Sequence, residues 1–173
     1  MAILVTYASK HGATQGIAER IAQRLRELGR SADLQPVSAN RDPENYEAVI
    51  IGSGVYFGSW LKEATEYARQ HRDALSARAV WLFSDGPLGS ETTETNGGEA
   101  QPRELEELQA LIHPRGHQLF FGALDRARLS IPERIVATAV HAPEGDFRDW
   151  AEVDAWAESV GHQLPLARTA PIR

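Results

Sequence analysis

The chain has 173 residues, 42% of them hydrophobic and 24% charged, and a net charge of −6. That length fits one domain of roughly 100–200 residues with a self-sufficient core, and the acidic balance argues against nucleic acid as a partner, because phosphate neutralisation needs a basic face. With no cysteine, disulfides, thiolate metal sites, cysteine-ligated clusters and cysteine nucleophiles are excluded.

The opening residues MAILVTYASKHG lack the basic region and long apolar core of a signal peptide. No apolar run approaches the roughly 18 residues of a membrane span, so the expected location is the cytoplasm. Ile3-Leu4-Val5-Thr6-Tyr7 is a short apolar run, the pattern of a strand buried on both faces. Ile17, Ala18, Ile21, Ala22, Leu25 and Leu28 then recur at helical spacing, with Gly29 where a helix C-terminus favours it. Ala32 to Val37 is a second strand, placed at an edge by Pro36, which cannot donate to a ladder. Asp42-Pro43-Glu44 starts a single helical turn.

Ala48-Val49-Ile50-Ile51-Gly52 is the third and most central strand, followed by a helix from about Trp60 to Leu75 and the strand Ala79 to Phe83. Gly89 to Gln101 reads as a loop. A helix from about Pro102 to His113 leads to a fifth strand, Gln118 to Ala123. Residues 125–147 form an inserted segment, in which Ser130-Ile131-Pro132-Glu133 is a capping box opening a short amphipathic helix. The last helix begins at Asp149, with Glu152 as its capping-box partner, and runs to about Val160. The expected domain is 1–164, and residues 165–173 form a loosely held tail. Alternating strands and helices imply parallel βαβ units with right-handed crossovers.

In such sheets ligands bind beyond the carboxyl ends of the strands. Three segments rich in Gly, Ser and Thr leave those ends: Ala8 to Thr14, Ser53 to Ser59 and Ser84 to Gly89. In the first, Ser9 and Thr14 offer hydroxyls and Gly12 lets successive amides converge at a helix N-terminus, where the dipole favours an anion; Lys10 and His11 would assist. Thr14 also suits a plain N-cap, but Ile17 three residues on closes no capping box. The Walker pattern fails, since no Gly-Lys-Ser/Thr ends the loop. The second segment, Gly52-Ser53-Gly54-Val55-Tyr56-Phe57-Gly58, has one residue too many for a dinucleotide fingerprint. Its aromatics, with Trp60, suit either a planar ring or core plugs under the next helix. The third, Ser84-Asp85-Gly86-Pro87-Leu88-Gly89, is either a tight turn or a wall of the same site. The six histidines show no metal spacing, and no Gly-x-Ser-x-Gly elbow exists.

Tyr7, Ser9, Gly12, Thr14, Ala18 and Ile21 match the signature that follows the first strand of flavodoxins, and the chain resembles that family over nearly its whole length. The second loop and the exit of the insertion, Gly145-Asp146-Phe147-Arg148-Asp149-Trp150, look most like the menaquinone-dependent protoporphyrinogen oxidase branch. The resemblance implies a doubly wound, five-stranded parallel sheet in order 2-1-3-4-5 with helices on both faces, and bound FMN. The phosphate would sit on Ser9, Lys10, His11, Gly12, Ala13 and Thr14. The ring would lie between Ser53, Gly54, Val55, Tyr56, Phe57 and Gly58 on one side and Ser84, Asp85, Gly86, Pro87, Leu88 and Gly89 on the other. The third loop lacks the tyrosine that stacks on the ring in ordinary flavodoxins, which implies an open face for a quinone or porphyrinogen substrate, with peripheral membrane contact to reach a quinone. The alternative is an electron carrier that docks to a redox partner protein; a domain that has lost its flavin is a third.

Overall fold

A computed structural model describes residues 1–86, 101–139 and 144–165. Apolar runs with strong β-propensity form strands β1 (Ile3–Ala8), β2 (Ala32–Pro36), β3 (Ala48–Tyr56), β5 (Ala79–Asp85) and β6 (Gly116–Phe120), all paired in parallel in the order β2-β1-β3-β5-β6. This is the expected 2-1-3-4-5 arrangement, with the proline-bearing β2 at an edge and β3 in the centre. The two-residue β4 (Ser59–Trp60) folds back antiparallel onto the end of β3. From β1 the chain moves outwards to β2, then crosses to β3 on the other side. The carboxyl ends of β1 and β3 therefore border the point where winding direction changes, which is where open α/β sheets leave a crevice.

Side-chain alternation divides the core into two layers. Ile3, Val5, Ala48, Ile50, Trp81 and Phe83 face helices α1 (Ala13–Glu27) and α6 (Trp150–Gln163), whose apolar stripes include Ile17, Ile21, Leu25, Val153 and Val160. Leu4, Val49, Ile51, Val80 and Leu82 face the opposite layer, made by α2 (Lys62–Gln70), α3 (Arg72–Ser76) and α4 (Leu105–Ile112). Bidentate Arg20–Asp154 bonds, both 2.6 Å, tie the solvent side of α1 to α6; exposed pairs of this kind contribute only about 0–1 kcal/mol. No helix among the described residues is long and apolar enough to cross a membrane.

Several elements differ from expectation, each for a local reason. The third strand runs on to Tyr56, so most of the segment expected as the second loop is sheet. Trp60 does not open a helix: its backbone pairs with Val55 and its indole Nε1 donates to Ser84 Oγ at 2.8 Å. The helix starts at Lys62 and breaks at His71 (φ −103°, ψ 18°), giving α2 and α3 in place of one rod. The fourth helix begins at Leu105 rather than near Pro102. The fifth parallel strand is Gly116–Phe120 rather than 118–123, because Arg115 N already bonds Val80 O at 2.7 Å and fixes the register two residues early. Beyond Phe120 the chain leaves for a ribbon of β7 (Ala123–Leu124) and β8 (Gly145–Asp146). The inserted helix is present as α5 (Ile131–Ala139). At Ser130 the Glu133 carboxylate accepts from both the backbone N–H (2.8 Å) and the hydroxyl (2.7 Å). At Asp149 the capping carboxylate accepts the amides of Ala151 and Glu152, whereas Glu152 turns away to accept from Gln118 at 2.9 Å. Residues 87–100, expected as the rest of the third loop and the loop after it, and nearly all of the expected tail, at 166–173, lie outside the described residues.

Two glycines have separate jobs in the central strand and its hairpin. Gly52 lies under the Phe83 ring, and a Cβ there would stand 1.9 Å from Phe83 Cζ. Phe57 (φ 52°) and Gly58 (φ 77°) are the two central residues of the β3–β4 turn. Two positive φ values match the twist of a hairpin, but the left-handed region costs a phenylalanine about 1–2 kcal/mol. Phe57 is 79% exposed, so packing does not repay that cost. Urea unfolding should show Gly52→Ala destabilised by about 1–3 kcal/mol through overpacking. Phe57→Asn, a better left-handed residue, should be stabilised by up to about 1 kcal/mol. An unchanged midpoint for Gly52→Ala would contradict the packing described.

Candidate functional site

The first loop joins β1 to α1. Gly12 is the N-cap of α1, in a left-handed conformation (φ 93°, ψ −8°), and it has no side chain to cap the helix it starts. The first intrahelical bond of the turn runs from Gly16 N to Gly12 O at 3.1 Å, which leaves the amides of Ala13, Thr14 and Gln15 without intrahelical acceptors. Ser9 Oγ accepts from Gly12 N at 3.0 Å, so its own proton remains available for donation. Thr14 is not the N-cap. It lies one residue inside the helix, 2% exposed, and its hydroxyl donates to Asp85 Oδ2 at 2.9 Å.

Asp85 ends β5 and is 6% exposed. Its other oxygen, Oδ1, is buried without a hydrogen-bond partner among the described residues, and it faces the bare backbone of Gly122, where a Cβ would stand 2.4 Å away. Burial pushes the Asp85 carboxyl up to about 6, against the opposing pull of the Thr14 hydrogen bond and Arg148. Gly54 has the same spatial function from β3: a Cβ there would lie 3.2 Å from Thr14 Oγ1 and 2.9 Å from Tyr56 Cε2. Its absence lets Tyr56 and Thr14 close together. Burial, then the Asp85 and Glu133 charges, push the Tyr56 hydroxyl up to about 12, so it stays protonated.

The inserted segment and its exit also reach this loop. Glu133 Oε1 forms an ion pair with Lys10 and a hydrogen bond with His11 Nε2 (3.2 Å). The Lys10 contact, followed by the Ser130 hydrogen bonds, holds the Glu133 carboxyl well below the usual range. Arg128 Nη1 donates to His11 O at 3.1 Å. Arg148, held by both Asp146 oxygens (2.8 and 2.6 Å), lies 4.7 Å from the Trp150 ring and directs Nη1 to Ala13 O. Lys10 Nζ stands 5.7 Å from the Tyr56 ring centre, and the His11 and Tyr56 rings meet edge-on at 6.3 Å.

The structure thus gathers Ser9, Lys10, His11, Gly12, Ala13, Thr14, Gly54, Tyr56 and Asp85 at one end of the sheet. The Ser53 and Ser84 hydroxyls are committed within the protein: both residues are 0% exposed and bonded to protein groups. Ser53 Oγ accepts from Leu61 N (3.0 Å) and donates to Gly54 O (2.9 Å). Ser84 Oγ accepts from Trp60 and shares a 2.7 Å hydrogen bond with His117 Nε2, and burial lowers the pKa of that imidazole. Phe57 and Gly58 project at the hairpin tip, Val55 supports it, and Gly86 (φ 134°) passes close to Val55. Pro87, Leu88 and Gly89 lie outside the described residues. Glu133, Arg128 and Arg148 were not singled out as site residues from the sequence. One signal was present for Arg148: Gly16, a glycine inside a helix, where a Cβ would stand 2.5 Å from Arg148 Nη1. Such a residue costs the helix about 1 kcal/mol and marks a close approach.

The model of the flavodoxin domain family matches residues 4–150. A curated relative, protoporphyrinogen IX dehydrogenase [quinone] of Escherichia coli strain K12, is 32% identical over 94% of this chain and 96% of its own length. An NAD(P)H dehydrogenase (quinone) of Methylocella silvestris is 26% identical over 56% of this chain and 59% of its own. Among solved structures, a flavodoxin from the domain Archaea superposes with a TM-score of 0.59 at 14% identity, covering 94% of this chain and 98% of that one. Oxidised flavodoxin 2 from Bacillus cereus gives 0.57 at 19% identity, covering 95% and 100%. These two show a shared fold. Together with the matched family model and the curated relative, they establish that the chain belongs to the flavodoxin domain family.

Proposed function

We propose that the chain is an FMN-dependent oxidoreductase acting on a quinone or a porphyrinogen at the carboxyl edge of its sheet. The observation that carries this is the start of α1: a glycine N-cap with positive φ, three amides without intrahelical acceptors, and a serine hydroxyl with a proton to give, all at the switch point. That donor set fits a phosphate ester. The amides of Ala13, Thr14 and Gln15 and the hydroxyl of Ser9 would hold it, and a side chain at residue 12 is barred by the backbone conformation. Tyr56 and Phe57 offer aromatic faces for the ring. When bound, FMN supplies two-electron exchange between substrate and acceptor; the protein supplies binding, orientation and electrostatics. The name of the 32%-identical relative supports a quinone and a porphyrinogen as the substrate classes.

Asp85 carries the wrong charge for an anion seat. A carboxylate beside a phosphate is unfavourable, so ligand binding there favours the protonated acid. The same burial acts on folding. With a folded pKa of about 6 against about 3.9 unfolded, the native state holds the extra proton between those values. The stability from this group is fully present below pH ~4 and is lost as pH rises through about 6. Asn at this position still accepts from Thr14 and carries no charge.

Two outcomes test these points. Ser9→Ala should weaken FMN by about 10- to 150-fold, given roughly 1.5–3 kcal/mol for a hydrogen bond to a charged group, and weaken riboflavin far less. Equal loss of both ligands would show that the phosphate does not sit there. Asp85→Asn should be more stable than the parent at pH 7 by about 3 kcal/mol, with the gap closing towards pH 4. A gap independent of pH would contradict a buried, titrating Asp85.

A further inference from the structure

Glu133 is tied at both oxygens. Oε2 takes the local contacts with Ser130 that belong to the start of α5, and Oε1 reaches across to Lys10 and His11 on the first loop. Both residues belong to the loop's outer rim: the Lys10 side chain is 48% exposed and the His11 side chain 19% exposed. Arg128, with its side chain 64% exposed, stands over the same rim, its Nη1 3.2 Å from where a Gly12 Cβ would be. One short stretch of surface therefore carries a place built for a carboxylate, with an internal carboxylate in it.

We propose that Lys10 and His11, with Arg128 beside them, form the subsite for a carboxylate of the substrate, and that Glu133 fills this subsite until substrate displaces it. This rests on the oxidoreductase function proposed above and selects between its substrate classes. A quinone ring is neutral and has no use for two or three cations. A porphyrinogen that carries propionate side chains has a broad apolar body with carboxylates at its margin. The surroundings match that amphiphile: the Tyr56 ring lies beside Lys10, Phe57 is 79% exposed at the adjacent hairpin tip, and Ile131 and Ile135 on the helix of Glu133 are 75% and 65% exposed. Charge-assisted bonds from Lys and His to a carboxylate are about twice as strong as neutral ones. Exchanging Glu133 for a substrate carboxylate preserves the charge balance of the rim and costs no unpaired ion.

The test measures binding of mesoporphyrin IX, a stable dicarboxylate, and of its dimethyl ester to the full chain with excess FMN in one detergent, by fluorescence quenching. Wild type should prefer the diacid by about tenfold, which is about 1.4 kcal/mol. Lys10→Met should bring the two ligands to near parity, while Lys10→Arg keeps most of the preference. Glu133→Gln should raise affinity for the diacid about threefold and leave the ester unchanged. FMN affinity is measured for each variant. If Lys10→Met weakens FMN and leaves the diacid-to-ester ratio intact, the cation serves the cofactor phosphate and the subsite is overturned. Glu133→Gln that weakens the diacid would likewise overturn it, because Glu133 would then be a fastening of the inserted segment. Failure of the oxidoreductase function itself is separately visible as absence of flavin binding by the wild type.

Discussion

A helix that begins on a glycine cannot satisfy its own first amides, and the carboxyl edge of this protein is arranged around that deficit. Gly12 is left-handed because the chain must reverse sharply from β1 into α1. A residue with a side chain would strain that turn, and the serine or threonine that normally caps a helix is thereby displaced. Ser9 stabilises the turn through the Gly12 amide, while Thr14 sits inside the helix and is committed to Asp85. What remains is a set of oriented N–H groups at the positive end of a helix dipole. They lie at the carboxyl ends of the adjacent strands β1 and β3, where the winding direction of the sheet changes.

Charge around this point is arranged in two shells of opposite accessibility. Inside, Asp85 lies nearly buried with one oxygen unpartnered among the described residues, a costly state for an ionised carboxylate and a tolerable one for the acid. Outside, the partly exposed Lys10 and His11 meet Glu133 from the inserted segment, and Arg128 pairs with Asp125 while its Nη1 donates to His11 O. The inner charge responds to pH and to any anion that enters. The outer one involves movable, solvated groups that can exchange partners at little cost. The two aromatic residues at the end of β3 lie between them, Tyr56 folded inward and Phe57 held outward by a turn that a phenylalanine would not choose.

The parallel strands were legible in the sequence because buried parallel strands are written as unbroken apolar runs, and Pro36 identified an edge, whereas the full strand order came from the resemblance to flavodoxins. The first loop was legible for a related reason: glycine, serine and threonine at fixed offsets have few uses between a strand and a helix. The hairpin after β3 was not. Gly54 looks like a loop residue in one dimension, yet it is a strand residue thinned to admit Thr14 and Tyr56. Contacts more than a hundred residues apart in sequence, such as Glu133 to His11 and Arg128 to His11, have no local signature at all. The capping box at Ser130 correctly placed Glu133 at the first turn of α5, but nothing local showed that its second oxygen would serve another loop.

The most direct measurement is a titration of the purified full chain with FMN, followed through the visible flavin spectrum and the quenching of flavin fluorescence. An anion seat at the start of α1 with an aromatic wall beside it predicts saturation at one flavin per chain, with a structured and shifted absorption band. A chain that stays colourless after removal of free FMN, under conditions where it is folded, would contradict the account at its centre.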